Sequence, residues 1–205
     1  CHSGAMSKLT SVCVYCGSRP GENPAYESAA QHLGEALADA KLRLVYGGGS
    51  VGLMGTVARA CLDKGGQVTG IIPKFLEERE VMLRRIEDLV ITDDMHERKR
   101  RMFEEADAFV ALPGGIGTLE EVVEMITWAQ LGRHKKPVLL ADIGGFWGPL
   151  TELLDHMIGE GFITDETMIR YLVTEDVAQI VPKLRAEVDM LSAEALEGDR
   201  EALER

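Results

Sequence analysis

Two side chains in this chain stand where a carboxylate and a guanidinium can act on a polar bond. Glu121 ends the segment Pro113-Gly-Gly-Ile-Gly-Thr-Leu-Glu-Glu121, and Arg98 lies in Met95-His-Glu-Arg-Lys-Arg-Arg-Met102. Glycine allows close approach of the backbone to a ligand, and free amides at the start of a helix favour an anion. The loop 113–118 therefore reads as a phosphate cradle, with Glu121 about one sugar length from the bound phosphate. A carboxylate there can hold ribose hydroxyls, steady a developing oxocarbenium ion and orient water, which is what glycosidic cleavage requires. The same spacing fits a capping box in which Thr118 caps the helix and Glu121 reaches back to an amide. Spacing by itself leans towards the cap; position beside the cradle favours the chemistry.

Arg98, Lys99, Arg100 and Arg101 put four cations at one helix start. Helical geometry spreads them around the axis, so no more than two should face a common crevice. A nucleic-acid patch is opposed by the overall balance of 22 Lys and Arg against 34 Asp and Glu, a net charge of −12. That balance equally opposes an anionic membrane surface and leaves small anions bound at a local site.

Other chemistries find little support. His96 and His134 are isolated and have no metal-ligand spacing, so surface or packing roles are expected for them and no metal site. Lys64, Lys74, Lys99, Lys135 and Lys136 lie in polar, charged or Gly-rich contexts unlike that of a cofactor-bearing lysine, and no cofactor is expected. Cys13-Val-Tyr-Cys16 has redox spacing but sits in a strand-like run. Positions three apart on a strand face opposite sides, so unpaired buried thiols are expected. Gly47-x-Gly49-x-x-Gly52 matches a dinucleotide fingerprint, yet it follows the second strand. The next strand ends at Pro73 without a ribose-binding acid, which disfavours NAD. No Gly-Lys-Ser/Thr completes a Walker loop.

From Ser11 onward, short β-rich runs alternate with helical patterns, which predicts an α/β fold: a Rossmann-like, doubly wound parallel sheet with helices on both faces in three αβα layers. Strands are expected at 11–16, 42–46, 67–72, 108–112 and 137–141, with a further candidate at 171–174. Helices are expected between the first two strands and at 51–64, 97–106, 118–132, 147–159 and about 176–190. Residues 73–95 are the least regular part, with a short strand near Ile86 to Ile91. Three glycine loops, 16–21, 47–55 and 112–118, follow strands one, two and four. In a sheet ordered 3-2-1-4-5, strands one and four flank the switch point where ligands bind.

Residues 1–5 read as a cloning remnant, 6–190 as one catalytic domain and 191–205 as an acidic tail of frayed helix or disorder. No run is long and apolar enough to span a bilayer and the start lacks a signal-peptide pattern, so a cytoplasmic protein is expected.

The segment Pro113–Glu121 resembles the P-G-G-x-G-T-x-x-E signature of the LONELY GUY (LOG) family, the cytokinin riboside 5′-monophosphate phosphoribohydrolases. The likeness extends to Cys13-Val-Tyr-Cys-Gly-Ser18, Tyr46-Gly-Gly-Gly-Ser-Val-Gly-Leu-Met-Gly55, Ile71-Ile-Pro-Lys74, Met95–Lys99 and Ile126-Thr-Trp-Ala-Gln-Leu-Gly132, and covers about residues 11–165 in order. The charged stretch 75–90 and the tail depart from it. The resemblance implies a homodimer that hydrolyses N6-modified or plain adenosine 5′-monophosphates to free base and ribose 5-phosphate, with Arg98 and Glu121 essential. It implies substrate contacts at Glu80, Arg98, Lys99 and the run Gly115, Ile116, Gly117, Thr118, Leu119, Glu120 and Glu121. Ser18, Gly114, Asp94 and Met95 complete the expected site, with Asp94 a candidate to protonate the leaving base. In the expected mechanism Arg98 stabilises negative charge on that base. The alternative is a non-catalytic carrier of a nucleotide or of molybdenum cofactor on the same fold.

Overall fold

The computed structural model describes residues 8–77 and 85–203, with side chains as far as residue 195. Seven parallel strands form one sheet in the order β4-β3-β2-β1-β5-β6-β7. They are β1 (Ser11–Tyr15), β2 (Arg43–Tyr46), β3 (Val68–Pro73), β4 (Asp88–Thr92), β5 (Ala108–Ala111), β6 (Val138–Ala141) and β7 (Leu172–Thr174). The central five reproduce the 3-2-1-4-5 arrangement expected from sequence. β4 is added outside β3, in register Gly70 to Leu89, and β7 outside β6. Most of β4 is only partly covered, so its sequence lacks the continuous apolar run of a buried parallel strand.

The crossovers are α1 (Pro24–Asp39), α2 (Gly52–Asp63), the short α3 (Lys74–Glu77), α4 (Met95–Glu105), α5 (Ile116–Gln130), α6 (Gly148–Gly159) and α7 (Ile180–Leu203). Asn23 accepts the Ala25 amide at 3.0 Å and Pro24 opens α1, where a missing N–H costs nothing. One core layer packs Leu33, Leu37, Val57 and Leu184 from α1, α2 and α7 against Leu44 and Val110. The other packs Met102, Val122, Met125 and Ile126 from α4 and α5 against Tyr15, Phe109 and Leu140. Cys13 belongs to the second layer and Cys16 to the first, so the strand does separate the two thiols. Both are free and buried.

Three helix boundaries correct the sequence reading. Helix α4 starts at Met95, two residues before the expected 97, because Asp94 accepts the Glu97 amide at 2.8 Å and Glu97 accepts the Asp93 amide at 2.8 Å. Helix α5 starts at Ile116 with Gly115 as its N-cap, not at Thr118. Thr118 thus lies inside the helix and Glu121 in its second turn, which rules out the capping box. The acidic tail is not separate from the preceding helix: α7 continues unbroken to Leu203. Among the described residues, no helix is long and apolar enough to cross a membrane.

Candidate active site

Adjacent strands β1 and β5 bring their following loops together at the carboxyl edge of the sheet, where the Gly17 amide donates to the Pro113 carbonyl at 3.0 Å. The loop after β2 joins them through the start of α2, whose Leu53 and Met54 amides donate to the Gly17 carbonyl at 3.1 and 3.3 Å. This contact distinguishes loops that look alike in sequence. First-turn amides of any helix lack intrahelical acceptors; those of α2 are taken by the neighbouring loop. At α5 no side chain caps the helix, and Gly115, Ile116 and Gly117 are exposed. The turn whose first amides stay open is therefore that of α5. Thr118 is buried beneath this turn and packs on Gly114, where an added Cβ would run into its hydroxyl.

The adjoining crevice has a volume of about 300 Å³ and includes Tyr15, Gly17, Ser18, Gly47, Arg98, Met102, the turn Gly115–Thr118 and Glu121 in its walls. Arg98 is only 6% exposed. Its Nε donates to the Ile71 carbonyl at 3.0 Å and its Nη2 to the Gly47 carbonyl at 3.1 Å, while Nη1 lies 4.0 Å from Met95 Sδ. The guanidinium is thus fixed by the backbone of β3 and of the residue that follows β2, with further donor capacity toward the crevice. Gly47 is required for that approach, since a Cβ there would collide with Nη2.

Glu121 is half-buried, and its carboxylate accepts no hydrogen bond from a described residue. Burial pushes its pKa up to about 7, against the pull of Arg98 and then Lys99; Glu120 and Glu124 push the same way as burial. A carboxyl group poised there can exchange a proton near neutral pH.

Of the four clustered cations, Arg98 is buried and Lys99 half-buried, while Arg100 and Arg101 are exposed. Lys99 spends its ammonium on α5, 2.6 Å from Glu120 and 2.9 Å from Glu124. Burial works against its charge, but these hydrogen bonds hold its pKa above the ordinary value; Glu120 is lowered in turn by its hydrogen bond to Lys99. Lys99 and Glu120 therefore clasp α4 to α5 beside the crevice. Asp94 is exposed and engaged as the α4 cap, and Met95 is half-buried against Arg98. Leu119 packs against the α5 core layer, and Ser18 is exposed at the crevice wall. Glu80 lies outside the described residues.

Sequence reasoning missed Tyr15, Gly47, Met54 and Met102 as crevice walls. Tyr15 and Met102 belong to the second core layer, and their position at its edge brings them to the crevice wall. His96 is exposed. His134 packs against Phe103 and Phe109; it accepts the Lys136 amide at Nδ1 and lies 2.9 Å from the Met125 carbonyl through Nε2. Burial lowers its pKa, in keeping with a neutral packing histidine.

A family model described as "Possible lysine decarboxylase" matches residues 54–184. The cytokinin riboside 5′-monophosphate phosphoribohydrolase LOG of Oryza sativa subsp. japonica is 47% identical over 178 residues, covering 87% of this chain and 74% of its own. The cytokinin riboside 5′-monophosphate phosphoribohydrolase of Rhodococcoides fascians is 45% identical over 177 residues, covering 86% and 89%. Among solved structures, the molybdenum cofactor carrier protein of Chlamydomonas reinhardtii superposes with a TM-score of 0.66 at 20% identity, covering 88% of this chain and 99% of that one, a likeness of fold. With the signature loop at the open turn of α5 and relatives this similar along most of its length, the chain belongs to the LOG family of cytokinin riboside 5′-monophosphate phosphoribohydrolases.

Proposed function

We propose that this protein hydrolyses the N-glycosidic bond of adenosine 5′-monophosphate and its N6-substituted forms, releasing the base and ribose 5-phosphate. The observation that carries the reading is Glu121, a half-buried carboxyl with its pKa near 7, set one turn beyond an open amide cradle and sharing the crevice with Arg98. In this mechanism the amides of α5 hold the 5′-phosphate and the ribose lies against Glu121. As the C1′–N9 bond lengthens, positive charge on the sugar is met by the carboxylate, which takes a proton from the attacking water while its oxygen bonds to C1′. Arg98 stabilises negative charge on the departing base, which takes its proton from solvent as it leaves, while Glu121 returns the proton of the attacking water to solvent. The guanidinium cannot supply that proton, because it stays charged in proteins. Asp94 would need to leave its cap to do so.

Incubation with AMP should release free adenine. Tight AMP binding without turnover would instead mark a nucleotide carrier. Since the reaction uses the ionised form of Glu121, kcat/KM for AMP should be flat above neutrality and fall about tenfold per pH unit below about 7. An acid limb near 6 would report the phosphate's own second ionisation instead.

A homodimer belongs to the same reading. The monomer itself covers much of the apolar surface of α5: Val122 and Ile126 are buried, and Trp128 packs edge-on against Phe103. What stays exposed is Ile116 and Val123 of α5, Leu131 at its C-cap, Leu153 and Ile158 of α6, and Phe162 just beyond, which is 83% exposed. Leu154 is the one buried residue of α6. An amphipathic helix so little covered fits a subunit contact. Light scattering at micromolar concentration should give twice the 22.5 kDa of one chain, and Leu153→Asp should shift it towards monomer. Monomer alone in the unmodified protein would refute the dimer. Cys13, Cys16 and Cys61, buried and unpaired, suit the reducing cytoplasm.

A further inference from the structure

A second cavity, of about 280 Å³, opens on the other side of the phosphate turn. It shares Gly17, Ser18 and Gly115 with the crevice of Glu121 and Arg98, but its other walls, which include Tyr26, Phe146, Leu53, Pro20, Pro113 and Arg19, are different. The walls are built rather than incidental. Phe146 stands edge-on to Tyr26, ring centres 5.7 Å apart, and edge-on to Trp147 at 4.9 Å. Trp147 is itself fixed, its indole donating to the Ala111 carbonyl at the end of β5 at 3.0 Å and its amide to Asp142 Oδ1 at 2.6 Å. Tyr26 is held from the loop side by Gly21, whose φ of +72° brings the backbone so close that a Cβ would press on the ring.

From these walls we infer that the cavity is a second subsite, for a planar ring joined to the far side of the 5′-phosphate, so that the protein binds nucleoside 5′-diphosphates bearing a second aromatic group. This inference rests on the proposed placing of the phosphate on α5 and of the ribose toward Glu121. A phosphate at the Gly115 turn borders both spaces. With the ribose on the Glu121 side, a substituent on the opposite oxygen enters the aromatic cavity. The ring would be received edge-on or offset by Tyr26 and Phe146, geometries that aromatic pairs favour. The cavity is too small for a drug-sized ligand and of the right order for one heterocycle. A linking second phosphate would pass Ser18 and Arg19, which are exposed. The Arg19 guanidinium makes no hydrogen bond or ion pair among the described residues, so it is available to that charge.

Calorimetric titration at low temperature with three probes, AMP, ADP and diadenosine 5′,5′-diphosphate, tests this subsite. The dinucleotide should bind at least fivefold tighter than ADP and displace AMP. Phe146→Leu should abolish that difference while leaving the AMP affinity within twofold, and Arg19→Gln should weaken ADP and the dinucleotide several-fold but not AMP. The melting temperature of each variant shows whether it is folded, and the exposed Arg19 keeps the test open if Phe146→Leu is not. The subsite is refuted if the dinucleotide binds no tighter than ADP, or if the variants weaken AMP as much as the dinucleotide. Absence of adenine release from AMP by the unmodified protein would overturn the hydrolytic reading alone, since the subsite is decided by binding.

Discussion

Glu121→Gln should lower kcat for adenine release from AMP by roughly 10²–10⁴-fold, equivalent to about 3–5 kcal/mol of transition-state stabilisation. Glutamine keeps the shape and hydrogen-bonding reach but not the charge that faces the sugar cation. KM should move little, because the α5 amides still bind the phosphate. The structure adds an effect of opposite sign on stability. In the folded protein burial raises the carboxyl from its ordinary 4.5 to about 7. A raised acid favours folding in its protonated form, so its contribution is full below pH 4.5 and is lost as pH rises through about 7. That displacement corresponds to at most about 3 kcal/mol, and partial exposure to the crevice reduces it to roughly 1–3 kcal/mol. The variant, which never ionises, should therefore melt a few degrees above the unmodified protein at pH 8 and nearly level with it at pH 5. Such a gain in stability with loss of activity is the trade-off expected of a charge retained for function. Turnover within threefold of the unmodified protein would make Glu121 structural; a variant less stable at pH 8 would show that burial is not what raises its pKa.

Arg98→Ala should damage both fold and activity. The Ile71 and Gly47 carbonyls would lose a charged donor in a buried setting, which costs about 2–4 kcal/mol in urea denaturation. Loss of the crevice cation should cost a further 10²-fold or about that in kcat. Arg98→Lys separates the two. An ammonium keeps the charge and can reach one carbonyl, but it cannot hold both the Ile71 and Gly47 carbonyls and face the substrate in one plane. It should leave most of the stability and still lose at least about tenfold in kcat. A lysine variant with unmodified kcat would show that position 98 supplies only charge, and that the anchored guanidinium geometry is immaterial.

Much of this was legible in the chain because it follows from short-range pattern. The alternation of β-rich runs and helical spacing gave the parallel sheet, and Cys13 and Cys16 were placed on opposite faces by the two-residue period of a strand. The glycine loops were recognisable as strand-to-helix turns at one edge. Helical spacing allowed no more than two of Arg98–Arg101 to face a common crevice; Arg98 lines it, Lys99 is turned to α5, and Arg100 and Arg101 are exposed. Pattern failed where neighbours distant in sequence decide the outcome. Thr118 and Glu121 have the spacing of a capping box, but the loop enters α5 at Gly115 and leaves the carboxyl without a capping role. The start of α2 looks as glycine-rich and open as that of α5 until the Gly17 carbonyl, brought in by β1, occupies its amides. The family resemblance implies a substrate contact at Lys99, and only the fold shows that two carboxylates of α5 pair with its ammonium. The pKa of Glu121 depends mainly on desolvation by burial, and then on Arg98, Lys99 and the neighbouring Glu120 and Glu124. Local sequence determines which residues lie at the edge of the sheet; long-range packing decides which amides, cations and carboxyls remain unspent there, because each can be satisfied by a partner the local pattern does not contain.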